Sequence, residues 1–188
     1  MSNSGKPNAS GLSAEESKKL PTRQPTQDEQ ASVKAMKDIY TANPNEEAYH
    51  QYDDKAIFHD PVGYCEGVGR IREQFNGLAK LFPKSVADKH NVLENPPTVA
   101  KHTILIDQDI TYYRDPNGEP TKTMNSLLTI ERNPDGKITK HTEEWNHQHE
   151  PSSQDGFFGM LSQYRKKATV AATGAFLDQK APKEKSSD

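Results

Sequence analysis

The chain has 188 residues, 31% of them apolar and 27% charged, with a formal net charge of −3. That suffices for one ordinary core with polar extensions, since a domain usually takes roughly 100 to 200 residues. The mixed charge excludes a basic phosphate-neutralising face, and hence nucleic acid as the expected partner; no run of about 18 apolar residues suggests a membrane span.

There is no apolar block of signal-peptide kind at the start, and Cys65 is the single cysteine, so no intrachain disulfide forms. The expected setting is the cytoplasm. Residues 1–30 hold almost no large apolar side chains to offset the entropy of ordering and are expected to be a disordered tail. "SVKAMKDIYTAN" then sets Val33, Met36 and Tyr40 at helical spacing, and Asn45 caps a second helix with Ala48, Tyr49 and Tyr52 on its face. A short strand, "AIFHD", stops at Pro61, which has no N–H to donate to a ladder. "GVGRIREQFNGLAKLFP" is an amphipathic helix with Ile71, Phe75, Leu78 and Phe82 on one face.

From Ser85 the pattern changes to strands, "SVADKHNVLEN", "TVAKHTILIDQDITYYR", "TKTMNSLLTIER" and "KITKHTEEWNHQH", joined in part by the turns "DPNG" and "NPDG", each with a glycine for positive φ. The expected fold class is α+β: a cone-shaped, curved antiparallel sheet packed against three N-terminal helices, over residues 31–150. An appended amphipathic helix over 151–178 carries Phe157, Leu161, Tyr164, Ala168, Ala171 and Ala175 on one stripe, and 179–188 form a second disordered tail.

The succession "YDDKAIFHDPVG", "GVGRIREQF", "NPDGKITKHTEEW" resembles the nuclear-transport-factor-2-like superfamily, and within it the SnoaL-like and steroid Δ-isomerase branch, over about Val33 to Gln148. The resemblance implies a cone-shaped cavity, frequent dimerisation through the sheet, and roles ranging from isomerase, cyclase and dehydratase to pure binding. It also implies a general base at Asp60, which stands in the acid-Asp-Pro-x-Gly place eight residues after Tyr52; the alternative is an aspartate that only caps the Asp-Pro turn. Ile138 and Trp145 match the spacing of the branch's last strand. Since side chains alternate along a strand, His141, Glu143, Trp145 and His147 share one face and Lys140, Thr142, Glu144 and Asn146 the other. The branch's oxyanion donors, a tyrosine on the first helix and an acid on the penultimate strand, fall near Met36 and near Ser126 or Leu128. Tyr40, one helical turn on, substitutes only in a different register.

The candidate acid–base residues are therefore Asp60, His141 and Glu143, and the candidate pocket residues Tyr40, Tyr52, Phe58, Phe75, Met124, Ser126, Leu128 and Trp145. An apolar cavity disfavours a carboxylate's charged form and makes it a better base. The expected ligand is a small hydrophobic or aromatic carbonyl compound, and the expected chemistry isomerase, cyclase or dehydratase proton transfer without a cofactor. The alternative is a non-catalytic, dimeric binding or interaction module of the same fold. "HQH" at 147–149 with Glu143 is the grouping closest to a metal site, but its spacing is nonspecific and no metal is expected.

Overall fold

The computed structural model describes residues 5–150 and 156–178, with side chains up to residue 167. The chain divides into two units, residues 1–151 and 152–188.

In the first unit, β1 (Tyr52–Asp60), β2 (Gly63–Glu66), β3 (Lys84–Leu93), β4 (Thr103–Tyr113), β5 (Lys122–Arg132) and β6 (Ile138–Trp145) form one six-stranded curved sheet in the order β2-β1-β6-β5-β4-β3. The predicted meander is β3 to β6, paired antiparallel throughout. The sheet as a whole departs from the expected antiparallel one. β6 returns beside β1 in parallel, so the sheet is mixed, with a helix in the crossover as parallel pairing requires. β1 also begins earlier than "AIFHD". The second helix is a single turn, α3 (Glu46–Tyr49), so Tyr52 lies on the strand opposite Ile138 and not on a helix face. β2 carries no strand signal of its own and forms because the Pro61-Val62 turn folds it back on β1. Of the two turn glycines, Gly136 takes positive φ (+84°) as expected and Gly118 does not.

Helices cover one face of this sheet. α2 (Gln30–Tyr40) buries Met36, Ile39 and Tyr40, and α4 (Val68–Leu81) buries Ile71 and Phe75 one turn apart. α4 packs on β1, while α2 packs on β3 and α4. Gly67, at φ +92°, opens α4 from a conformation that other residues adopt at a cost of roughly 1 to 2 kcal/mol.

The segment expected to be disordered is ordered over its described residues. α1 (Ala14–Ser17) starts with a capping box in which Ser13 and Glu16 satisfy each other's backbone N–H groups. Thr22 bridges Leu93, and the two terminal guanidinium nitrogens of Arg23 meet the Glu29 carboxylate at 2.6 and 2.9 Å. Leu20 and Val99 pack over Leu93, Leu105 and Leu127 on the sheet's outer face. Counting apolar side chains missed this because polar ones anchor the segment: Asn8, Ser10 and Ser17 are all buried.

In the second unit, α5 spans Gly156–Asp178. Ala168, Ala171 and Ala175 of the expected stripe lie outside the residues whose side chains are described, and the tail 179–188 lies outside the described residues altogether. Among the described residues no helix is long and apolar enough to cross a membrane.

Candidate functional site

Cross-strand register builds the site. On the helix-covered face, Ile104 pairs with Ile130, Ile130 with His141 and His141 with Phe58, making one row of neighbours. The next row is Val92, Ile106, Leu128 and Glu143. Asp60 follows Phe58 by two residues just as Glu143 follows His141, so strand alternation sends both carboxylates to the same face of adjacent parallel strands. A third row is His90, Gln108, Ser126 and Trp145, in which Gln108 Nε2 donates to Ser126 Oγ at 3.3 Å. Met124 lies opposite Ile110 in the row beyond.

All eleven residues singled out from the sequence are buried, His141 at 0% exposure and Asp60 at 4%. Tyr40, Tyr52, Phe58 and Phe75 are brought together around the His141 ring. Phe75 stacks on it (centroids 5.8 Å apart, planes at 6°), Phe58 meets it edge-on at 4.9 Å and Tyr40 edge-on at 5.9 Å. Both ring nitrogens face phenols: Nδ1 is 2.8 Å from Tyr52 Oη and Nε2 is 3.2 Å from Tyr40 Oη. Tyr40 also donates to Glu143 Oε2 at 2.9 Å, so α2 reaches β6 through one hydroxyl. Met124, Ser126, Leu128 and Trp145 share this face of the sheet but lie in different rows.

The two readings of Asp60 turn out to be compatible. Its Oδ1 accepts from Val62 N at 2.9 Å and Gly63 N at 2.8 Å, which fixes the turn, and the same carboxylate lies buried on the inner face. Tyr112 joins the group, although nothing in "TYY" favours it over Tyr113. Its phenol is pushed well above the usual tyrosine range by burial, then by the negative charges of Glu143 and Asp60. Tyr40 is raised in the same way, by burial and then by Glu143. Both therefore stay protonated and able to donate.

Burial holds His141 down to about 3, so the imidazole is neutral in the folded protein. Unfolding takes up a proton there at any pH between about 6.5 and 3. The stability tied to His141 is thus whole above pH 6.5 and falls as pH drops toward 3, at most by about 1.4 kcal/mol per pH unit. His90, lowered by burial, acts in the same direction. We expect urea midpoints to fall between pH 7 and pH 5; a flat profile would mean that these imidazoles titrate in the fold as they do in the unfolded chain.

His147 departs from the alternation. β6 ends at Trp145, and Asn146 and His147 take left-handed conformations (φ +54° and +62°) that swing His147 to the outer face. There its Nε2 lies 3.1 Å from Asp107 Oδ1 and its Nδ1 2.8 Å from Ser17 Oγ, while His149 meets Glu144 at 3.3 Å. Glu143 is thus on the opposite face from His147, which dissolves the metal-like grouping. Among the described residues no cluster of three or more His, Cys, Asp or Glu could hold a metal ion.

No family model matches the chain, and the comparison with curated proteins gives no match. Solved structures do match. A steroid delta-isomerase from Pseudomonas aeruginosa aligns over 81% of this chain and 98% of its own, at 12% identity and a TM-score of 0.52. A de novo designed protein with a curved β-sheet aligns over 76% and 98%, at 12% identity and 0.51. A nuclear-transport-factor-2-like protein of unknown function from Cytophaga hutchinsonii aligns over 65% and 93%, at 17% identity and 0.47. The chain shares its curved-sheet α+β fold with the steroid delta-isomerase structure. At these identities the likeness concerns the fold alone.

Proposed function

We propose that this chain binds a small apolar or aromatic carbonyl compound on the inner face of its sheet and moves a proton on it without a cofactor, as an isomerase, cyclase or dehydratase does. The observation that carries this reading is the burial of two carboxylates, Asp60 and Glu143, on one face of adjacent strands, with Tyr40 hydrogen-bonded to Glu143 and both negative charges felt at the Tyr112 phenol. Asp60 takes the proton from the carbon beside the carbonyl. The C–H electron pair becomes the enolate, and a phenol that burial keeps protonated donates to the enolate oxygen. Return of the proton to another carbon completes an isomerisation; loss of a β-hydroxyl as water completes a dehydration. Tyr112 is the candidate donor, in place of the residues near Met36 and Ser126, since the Tyr40 proton is directed at Glu143. The fold shared with a steroid delta-isomerase is consistent with this class of reaction.

The test needs no knowledge of the product. Cyclic and aromatic ketones are incubated with the protein in heavy water, deuterium entry beside the carbonyl is followed by NMR, and binding is read from the fluorescence of Trp145, the single tryptophan. Saturable quenching together with catalysed exchange supports the reading. Quenching without exchange overturns the catalytic half.

A second reading has one observation in its favour: Phe58, Phe75, Tyr40 and Tyr52 already enclose His141. If such packing fills the whole interior, the chain is a cytoplasmic, homodimeric interaction module. It would then show no saturable change at Trp145, and a dimer by sedimentation.

A further inference from the structure

With Glu143 as a carboxylate and His141 neutral, the hydrogen-bond contacts around His141 admit one arrangement of protons. A carboxylate only accepts, so the Tyr40 hydroxyl spends its one proton on Glu143 Oε2 at 2.9 Å. Tyr40 Oη can then only accept from His141 Nε2, 3.2 Å away, which makes Nε2 the protonated nitrogen. In a neutral imidazole Nδ1 is then bare, and Tyr52 must donate to it at 2.8 Å. Three protons serve three contacts, all pointing from Tyr52 toward Glu143. Met36 Sδ, 3.9 Å from Tyr52 Oη, receives nothing in this state.

The same heavy atoms accommodate one proton more. If Glu143 carries a proton on Oε2, it donates to Tyr40, Tyr40 donates to Nε2, the ring proton sits on Nδ1 and points at Tyr52, and Tyr52 turns its hydroxyl to the Met36 thioether. Four protons then serve four contacts, the original three reversed and the Tyr52–Met36 one newly made. A buried carboxyl normally needs different partners for its two protonation states, since the acid must donate where the carboxylate accepted. Here an amphoteric phenol backed by an amphoteric ring supplies both.

We propose that Tyr40, His141 and Tyr52 form a reversible positioning relay that keeps the Tyr40–Glu143 hydrogen bond made whether Glu143 is carboxylate or acid, with the His141 tautomer switching between Nε2–H and Nδ1–H as Glu143 loses or gains a proton. The catalytic consequence rests on the proposed function: with Asp60 as the base, Glu143 is the second acid–base group on that face, and His141 acts through it without touching substrate. Among the groups near Glu143, Tyr40 from α2 bonds it, His141 shares its face of the strand, and its charge and that of Asp60 from β1 both reach the Tyr112 phenol of β4. The relay itself is a statement about protons at rest and is read without substrate.

The experiment is a long-range ¹H–¹⁵N correlation spectrum of the histidine rings in the labelled full chain, with His141 assigned by the signal lost in His141→Gln. At pH 7 the ring is expected as a single Nε2–H tautomer; an Nδ1–H ring, an imidazolium or a rapid mixture overturns the proposal. In Glu143→Leu the Tyr40 hydroxyl has only Nε2 left to donate to, so the ring proton is expected to move to Nδ1. An unchanged Nε2–H ring in the folded variant overturns the reversal. Should Glu143→Leu fail to fold, the wild-type tautomer still decides the polarity, and titration of wild type toward acid replaces the variant: unfolding before any change of tautomer counts against the reversal. Failure of ketone exchange alongside an Nε2–H ring would sink the catalytic reading and leave the relay standing.

Discussion

Replacing His147 with alanine is expected to lower the unfolding free energy by about 3 kcal/mol, the sum of two broken buried hydrogen bonds and the space left by the ring. His147 is 0% exposed and ties the segment around α1 to the sheet. Ser17 Oγ lies at its Nδ1, and Asn8 Nδ2 bonds both Ser17 Oγ at 2.9 Å and the His147 carbonyl at 3.0 Å. Ala9 N adds a bond of 2.8 Å to Glu144 Oε2 on the neighbouring outward position. Once the ring is gone, Leu20 is held over Leu93, Leu105 and Leu127 by fewer anchors, so that apolar patch opens more readily. The effect divides by double mutation. Ser17→Ala alone is expected to cost about 1 kcal/mol, and the pair less than the sum of the two, because both remove the same contact. Burial pushes Asp107 up, but hydrogen bonds from His147, Lys89 and Asn125 prevail and hold it down to about 2. In His147→Ala its carboxyl should titrate nearer the ordinary range, observable by ¹³C NMR. A variant as stable as wild type, with Asp107 unmoved, would show that the N-terminal segment is held by other contacts.

The inner face of the site was legible for a simple reason. Side chains alternate with a period of two, so once Trp145 is placed inward, Glu143 and His141 follow, and the aspartate before Pro61 follows from its position two residues beyond Phe58. Alternation fails where the strand ends. Nothing in "WNHQH" announces that Asn146 and His147 turn left-handed, and asparagine's tolerance of that conformation is the only trace in the sequence. Tyr112 was illegible because "TYY" offers two tyrosines on opposite faces, and only the pairing of β4 with β5 decides between them. Tyr40 hinged on where α2 docks: its hydroxyl reaches His141 and Glu143 because Met36, one turn earlier, lies beside Tyr52. The N-terminal segment hid for a different reason. Its fixation is polar and long-range, by Asn8 and Ser17 to residues some 130 positions away, and composition weighs only apolar burial.

Asp60→Asn is expected to reduce turnover of any exchanged ketone by about 10²- to 10⁴-fold while leaving binding nearly unchanged, the usual effect of removing a general base. The substitution suits this site because the amide oxygen can still accept from Val62 N and Gly63 N, so the Pro61-Val62 turn and the pairing of β1 with β2 survive. Asp60→Ala removes base and turn cap together and should add about 1 to 2 kcal/mol of destabilisation that the asparagine variant lacks. Comparing the two separates the roles that the sequence left as alternatives. Lost exchange in both variants, with stability lost only in alanine, assigns Asp60 both the proton and the turn. Exchange retained in Asp60→Asn with a raised KM makes it a binding group, and Glu143 becomes the base, which Glu143→Gln then tests. Exchange at wild-type rate and affinity in Asp60→Asn leaves only the turn. The carboxylate would then owe its burial to the hairpin, and proton transfer on this face would have to begin at Glu143.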